Sequence, residues 1–235
     1  QNRIEESSII QTLESIVLSD EIKGTFYLFY DKNQLVQGRQ IPTYIADSDC
    51  KLTLYKNCRN TENIAITSMR PLGKENKPKM FQGCVKGISP DIHVASSESD
   101  SLDYLNKVLN KLVNDKYEDI VILTCSIEDK SWLSAYCVDG CYSFNNRQIK
   151  FTSCRKFKGL EADAIILVDV TRNTFDVGGN NLVFYVGASR ARFRLSIIVN
   201  MSEDECKFVS EILGNTLQGK PPKKMLAASL NALLQ

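Results

Sequence analysis

The sequence predicts a doubly wound, mainly parallel α/β sheet, and three observations carry that prediction. Apolar runs such as Ile120-Val121-Ile122-Leu123 lack polar alternation, so strands built from them must be covered on both faces. These runs alternate with segments whose apolar residues recur at helical spacing, as over residues 102–114 and 203–213. The composition is that of an ordinary globular protein, with 43% hydrophobic and 24% charged residues in 235. That length suits one large domain, or one domain plus part of another.

Each element has a local reason. Ile4, Ile9, Ile10, Leu13, Ile16 and Val17 fall at roughly helical spacing and predict an amphipathic helix that Gly24 ends. Residues 25–30 form a dense aromatic strand running into Asp31-Lys32-Asn33-Gln34, and residues 52–55 a second, short strand. A helix starts after Arg59 with Asn60 or Thr61 as its N-cap. Residues 70–91 hold three of the six prolines with several glycines and lysines, and predict an irregular excursion. Strands are then expected over residues 91–95, 120–125, 148–153, 164–170 and 195–200. Helices are expected over residues 102–114, from near Glu128, around 181–191 and over 203–213. Pro221-Pro222 breaks the chain before a last helix over residues 225–234.

Charge and cysteine usage narrow the function classes. A formal net charge of +1 gives no global case for nucleic acid, so a binding groove must rest on a local cluster. Residues 155–158 and the run Arg190/Arg192/Arg194 are the two candidates. The eight cysteines form no disulfide framework, the Cys137/Cys141 spacing fits a zinc knuckle poorly, and a single histidine, His93, restricts any mixed ligand set. His93 lies in an apolar strand-like run, where a local hydrogen bond is the simpler role. Many free thiols, no signal peptide and no apolar run near the roughly 18 residues of a membrane span lead us to expect a soluble cytoplasmic protein.

Open α/β sheets bind ligands at the carboxyl ends of their strands. The polar residues Asp31, Gln34, Lys158 and Arg190 are expected there, each beside a predicted strand. Two stretches are the most specific: Lys158-Gly159-Leu160-Glu161, and Tyr185-Val186-Gly187-Ala188-Ser189-Arg190-Ala191. They resemble motifs V and VI of the UvrD/Rep-like superfamily 1 helicases. Residues 29–34 are similar to motif III of that family, and residues 54–64, with Cys58-Arg59-Asn60-Thr61, to motif IV.

The resemblance implies the second RecA-like motor lobe of an ATP-dependent helicase that moves on single-stranded nucleic acid, DNA in preference to RNA. It implies that Gln34, Arg59 and Arg190 face the γ-phosphate. Glu161 would approach the ribose, with Asp31 and Gly159 beside the nucleotide, and Ser153, Arg155 and Lys158 would line the strand path. Arginine suits a γ-phosphate because its planar fork stays charged and bonds two oxygens at once.

Departures from the family are equally legible. Arg155 stands where the family has histidine, and Leu35, Val36 and Gln37 stand where it often has a stacking aromatic. About ninety residues separate motifs IV and V, which leaves no room for a large insertion and implies the compact branch. No Gly-x-x-x-x-Gly-Lys-Ser/Thr occurs, and no Asp-Glu pair closes an apolar strand. The expected organisation is therefore a remnant of the first lobe over residues 1–45, the second lobe over 46–217 and a tail over 218–235. ATP would be shared with a missing N-terminal lobe that supplies the Mg2+ ligands, and the chain alone would be inactive. The alternative is a stand-alone nucleotide- or nucleic-acid-binding interaction module without motor activity.

Overall fold

The computed structural model describes residues 12, 13, 15–17, 19, 56–73, 78–176, 180–214 and 219–231. The chain divides into two units, residues 1–54 and 55–235. In the first, residues 12, 13 and 15–17 are helical, as the apolar spacing predicts, and Ser15 Oγ donates to the Thr12 carbonyl at 2.8 Å. The expected aromatic strand, and with it Asp31 and Gln34, lies outside the described residues.

The second unit opens with β1 (Lys56–Asn57) and helix α1 (Glu62–Met69). Thr61 takes the N-cap position of α1 without a side-chain cap. The first free helical amides are satisfied instead by the following loop, Glu62 N–H by the Val85 carbonyl and Asn63 N–H by that of Lys86. Within the predicted excursion a short strand, β2 (Lys79–Met80), pairs parallel with β1.

The regular part then runs β3 (Asp91–Ala95), α2 (Glu98–Asn114), β4 (Ile120–Thr124), β5 (Cys137–Val138), β6 (Cys141–Phe144), β7 (Arg147–Ser153) and β8 (Ala162–Val170). Helix α3 (Asn180–Ala188), β9 (Ala191–Asn200), α4 (Glu203–Ile212) and α5 (Pro222–Leu230) complete it. Seven strands form one sheet in the order β3-β9-β8-β4-β7-β6-β5. The first five are mutually parallel, and β6 and β5 continue the sheet antiparallel. The α/β class is as expected. The expected helix near Glu128 is instead two short 3-10 turns, Glu128–Lys130 and Trp132–Tyr136.

Alternation along β8 explains the two layers. Ala164, Ile166 and Val168 join Leu105, Val108, Leu109 and Leu112 of α2 in one core. Those α2 residues repeat at three and four, so a single face is buried, and each large aliphatic side chain contributes ~1.5–3 kcal/mol. Ser97 caps α2 by accepting from the Asp100 amide. Leu167 points the other way, toward α3. A Cβ added at Gly187 of α3 would lie 2.8 Å from Leu167 Cδ1 and 2.5 Å from Cys154 Sγ, so only glycine lets the helix approach this closely.

The β5–β6–β7 meander was not among the expected elements apart from β7. Its two-residue turns are Asp139-Gly140 and Asn145-Asn146, all four with positive φ. Both match the residue chemistry of type I′ hairpins. Among the described residues no helix is long and apolar enough to cross a membrane.

Candidate functional site

The segment between β7 and β8 organises the site. Because β7 and β8 run parallel on either side of β4, residues 154–161 must return from the carboxyl edge of the sheet to its amino edge. They do so without a helix, through consecutive turns in which Phe157 N–H bonds the Ser153 carbonyl and Leu160 N–H that of Phe157. Cys154 and Phe157 are buried and anchor the crossover, while Arg155, Lys158 and Gly159 are exposed. Gly159 sits at φ +92 with open space around it, so its requirement is conformational.

At the amino edge, Glu161 immediately precedes β8 and Arg190 immediately precedes β9, whose first residues Ala162 and Ala191 are paired. The carboxyl-end placement expected for Arg190 is thus corrected: with Glu161 it occupies the opposite edge. Lys158 lies along the crossover between the two edges. Of the expected site residues that are described, Ser153 alone closes a strand at the carboxyl edge.

Three segments distant in sequence meet at this amino corner. Arg59 Nε lies 3.1 Å from Glu161 Oε2, with the two side chains 45% and 46% exposed. Beneath them Asn60 Nδ2 donates to the carbonyls of Ser189 at 2.9 Å and Ala191 at 2.6 Å, the two residues that flank Arg190. Asn57 shapes the approach: its Oδ1 accepts from the Arg59 and Asn60 amides, and its Nδ2 donates to Asn60 Oδ1. Arg190 itself is only 1% exposed, with Nε donating to the Val186 carbonyl at 3.1 Å and Nη1 reaching that of Leu160 at 3.5 Å. Its guanidinium therefore ties the end of α3 to the crossover.

The clasp made by Asn57 and Asn60 is not among the expectations from sequence, which place both in the motif IV stretch and offer Asn60 as one of two N-caps. The Asn-x-x-Asn spacing around an exposed arginine was the available signal.

The carboxyl edge is built differently. Asp169, in a left-handed conformation at φ +57, accepts from Thr124 Oγ1 at 2.5 Å and Ser131 Oγ at 2.6 Å. Glu128 Oε1 accepts from Thr152 Oγ1 at 2.6 Å and from the Ser153 amide at 2.8 Å, and its Oε2 bonds Lys156 Nζ. Burial opposes the Glu128 charge, but the bonds from Lys156, Thr152 and Ser153 outweigh it and bring its pKa down to about 2 from the ordinary 4.5.

The Arg190/Arg192/Arg194 run does not form one basic face. Arg194 is 6% exposed and paired with Asp91 and Asp115, and Arg192 is paired with Asp163. His93 bonds Asp100 at 2.8 Å and stacks on Tyr104. Among the described residues no three His, Cys, Asp or Glu side chains gather as a metal site, and the seven described cysteines are free.

No family model matches this chain, and no curated protein does. Among solved structures the chain is similar to the C-terminal domain of a possible DNA helicase from Lactobacillus plantarum WCFS1, at 16% sequence identity and a TM-score of 0.46, covering 60% of this chain and 86% of that one.

Proposed function

We propose that this chain contributes the second motor lobe of a superfamily 1 helicase, acting with a lobe that carries the P-loop and the Mg2+ ligands. The observation that carries the reading is the amino corner. Arg59, Glu161 and the Ser189-Arg190-Ala191 segment, which the motif resemblance assigns to one nucleotide, are joined by an ion pair and by the paired bonds of Asn60. In this reading Arg59 leaves Glu161 for the γ-phosphate of ATP, and Glu161 turns to the ribose. Arg190 exchanges its carbonyl acceptors for phosphate oxygens as the partner lobe closes. Two arginines converging there would stabilise charge that develops on the equatorial oxygens in the transition state. Gln34 and Asp31 belong to the same proposal through the motif resemblance. Ser153, Arg155 and Lys158 would contact the backbone of single-stranded DNA.

ATP turnover, measured on the polypeptide that joins this lobe to a P-loop lobe, tests the reading. Arg59→Ala removes an exposed side chain, so the fold should be unaffected within ~0.5 kcal/mol while turnover falls ~10²–10³-fold. Arg190→Lys keeps the charge but loses the fork, and should lower turnover by at least ~10³. Wild-type turnover in both variants would remove the proposed nucleotide site.

One observation favours a second reading, a binding module in which this corner is structural only. Arg190 at 1% exposure, bonded to two main-chain carbonyls, is placed as a bracing arginine would be. On that reading Arg190→Lys lowers the melting temperature and Arg59→Ala does nothing measurable.

A further inference from the structure

The carboxyl edge carries a donor set of which the motif resemblance names only Ser153. A hydroxyl from Thr152, a main-chain amide from Ser153 and the ammonium of Lys156 all converge on the carboxylate of Glu128. A hydroxyl, an amide and an ammonium aimed at one point are also what phosphate oxygens require. The two donors at the strand end are fixed, since Thr152 and Ser153 are 8% and 7% exposed. The third is adjustable, because the Lys156 side chain is 70% exposed. The carboxylate that fills this seat comes from elsewhere in the chain, from the 3-10 turn that follows β4.

We propose that Glu128 occupies the seat of a backbone phosphate of single-stranded nucleic acid, as an internal surrogate that an arriving strand displaces. The inference rests on the reading that Ser153 and its neighbours line the strand path. In the free chain the carboxylate neutralises Lys156 and holds both fixed donors, so a strand must compete with it. Ordinary pH does not release it, because the carboxyl stays ionised down to about 2. The device lowers affinity for any strand too short or too weakly held to displace Glu128, and it is indifferent to base sequence.

The test is fluorescence anisotropy of a labelled oligothymidylate titrated with the 235-residue chain across a salt series, each variant first shown to be folded by thermal melting. Glu128→Gln should bind ~5–10-fold more tightly at low salt, with a log–log salt slope steeper by ~0.7 as Lys156 engages a phosphate. Asp129→Asn makes the same change of charge on the exposed neighbour and should stay within ~2-fold of wild type. Adding Thr152→Val to Glu128→Gln should abolish most of the gain. Should Glu128→Gln fail to fold, Glu128→Ala carries the same expectations, since it removes the carboxylate and leaves the two fixed donors to the strand. Equal gains from Glu128→Gln and Asp129→Asn would reduce the effect to general charge and overturn the proposal. Binding by wild type that Glu128→Gln leaves unchanged would overturn it too, while the strand path stands. No binding by any variant would overturn both.

Discussion

The two edges of the parallel sheet hold their charges in opposite ways. At the amino edge Arg59 and Glu161 face each other in water, each nearly half exposed, over a floor of buried amides and carbonyls. At the carboxyl edge Glu128 and Asp169 turn onto hydroxyls, an amide and an ammonium of the chain itself. An exposed ion pair is worth ~0–1 kcal/mol, so opening the first costs little. The Glu128 bonds are charge-assisted and come in a set of three, which are harder to exchange. One edge presents its charges to solvent; the other holds its carboxylates on donors of the chain. On the proposed function the first edge would be an open nucleotide corner and the second a guarded strand seat.

The sharpest way to break the amino corner is from below. Asn60→Ala removes a 4%-exposed carboxamide and leaves two buried carbonyls, of Ser189 and Ala191, without their donors. Lost bonds and unsatisfied acceptors together should cost about 2–4 kcal/mol in chemical denaturation. Asn60→Asp, isosteric but without the donor, should cost at least as much. A change under ~0.5 kcal/mol in both would show that the three segments meet without needing this clasp, and would weaken the contrast between the edges.

How much of this was legible beforehand follows from the physics of each element. β4 and β8 announced themselves because strands buried on both faces must be apolar throughout, and α2 because its buried residues keep helical spacing. The β5–β6 hairpin went unread although Asp139-Gly140 is a strong turn signal, because its strands are too short to show a period. Arg59, Glu161 and Arg190 could be named from motif spacing, and the first two do meet. The edge of Arg190 was misread: it ends the connection through α3 into β9, and every connection between parallel strands delivers its last residue to the amino edge. The Glu128 seat was invisible for another reason. Its parts lie more than twenty residues apart, and neither Thr152 nor Glu128 belongs to a recognisable pattern.

Acid sharpens the comparison at the carboxyl edge. Glu128 has a carboxyl pKa of about 2 when folded and an ordinary value of 4.5, so as pH falls the unfolded chain takes up this proton first. Its stabilisation is complete above about pH 4.5 and is lost as pH falls through about 2. The difference in melting temperature between wild type and Glu128→Gln should therefore be constant from pH 7 to about 5, and should close toward pH 2. A difference that does not change over that window would mean Glu128 is held by packing alone.

The smallest expected effect decides where a strand would run. The exposed Arg155 and Lys158 lie along the crossover between the two edges, Arg155 two residues past the guarded seat and Lys158 nearer the amino corner. Each phosphate contact on a single strand contributes ~0.7 to the log–log salt slope, so Arg155→Ala with Lys158→Ala should flatten it by roughly 1 to 1.5 units. Affinity should drop for every sequence alike, because phosphate contacts position a strand without reading it. If the slope is unchanged, the path does not follow the crossover. Arg194 cannot take its place while buried between Asp91 and Asp115, which leaves Arg192, once freed from Asp163, as the nearest remaining cation of the β9 run. A flattened slope in the crossover variant, together with a steeper one in Glu128→Gln, would place the strand over the carboxyl edge and leave the amino corner to the nucleotide.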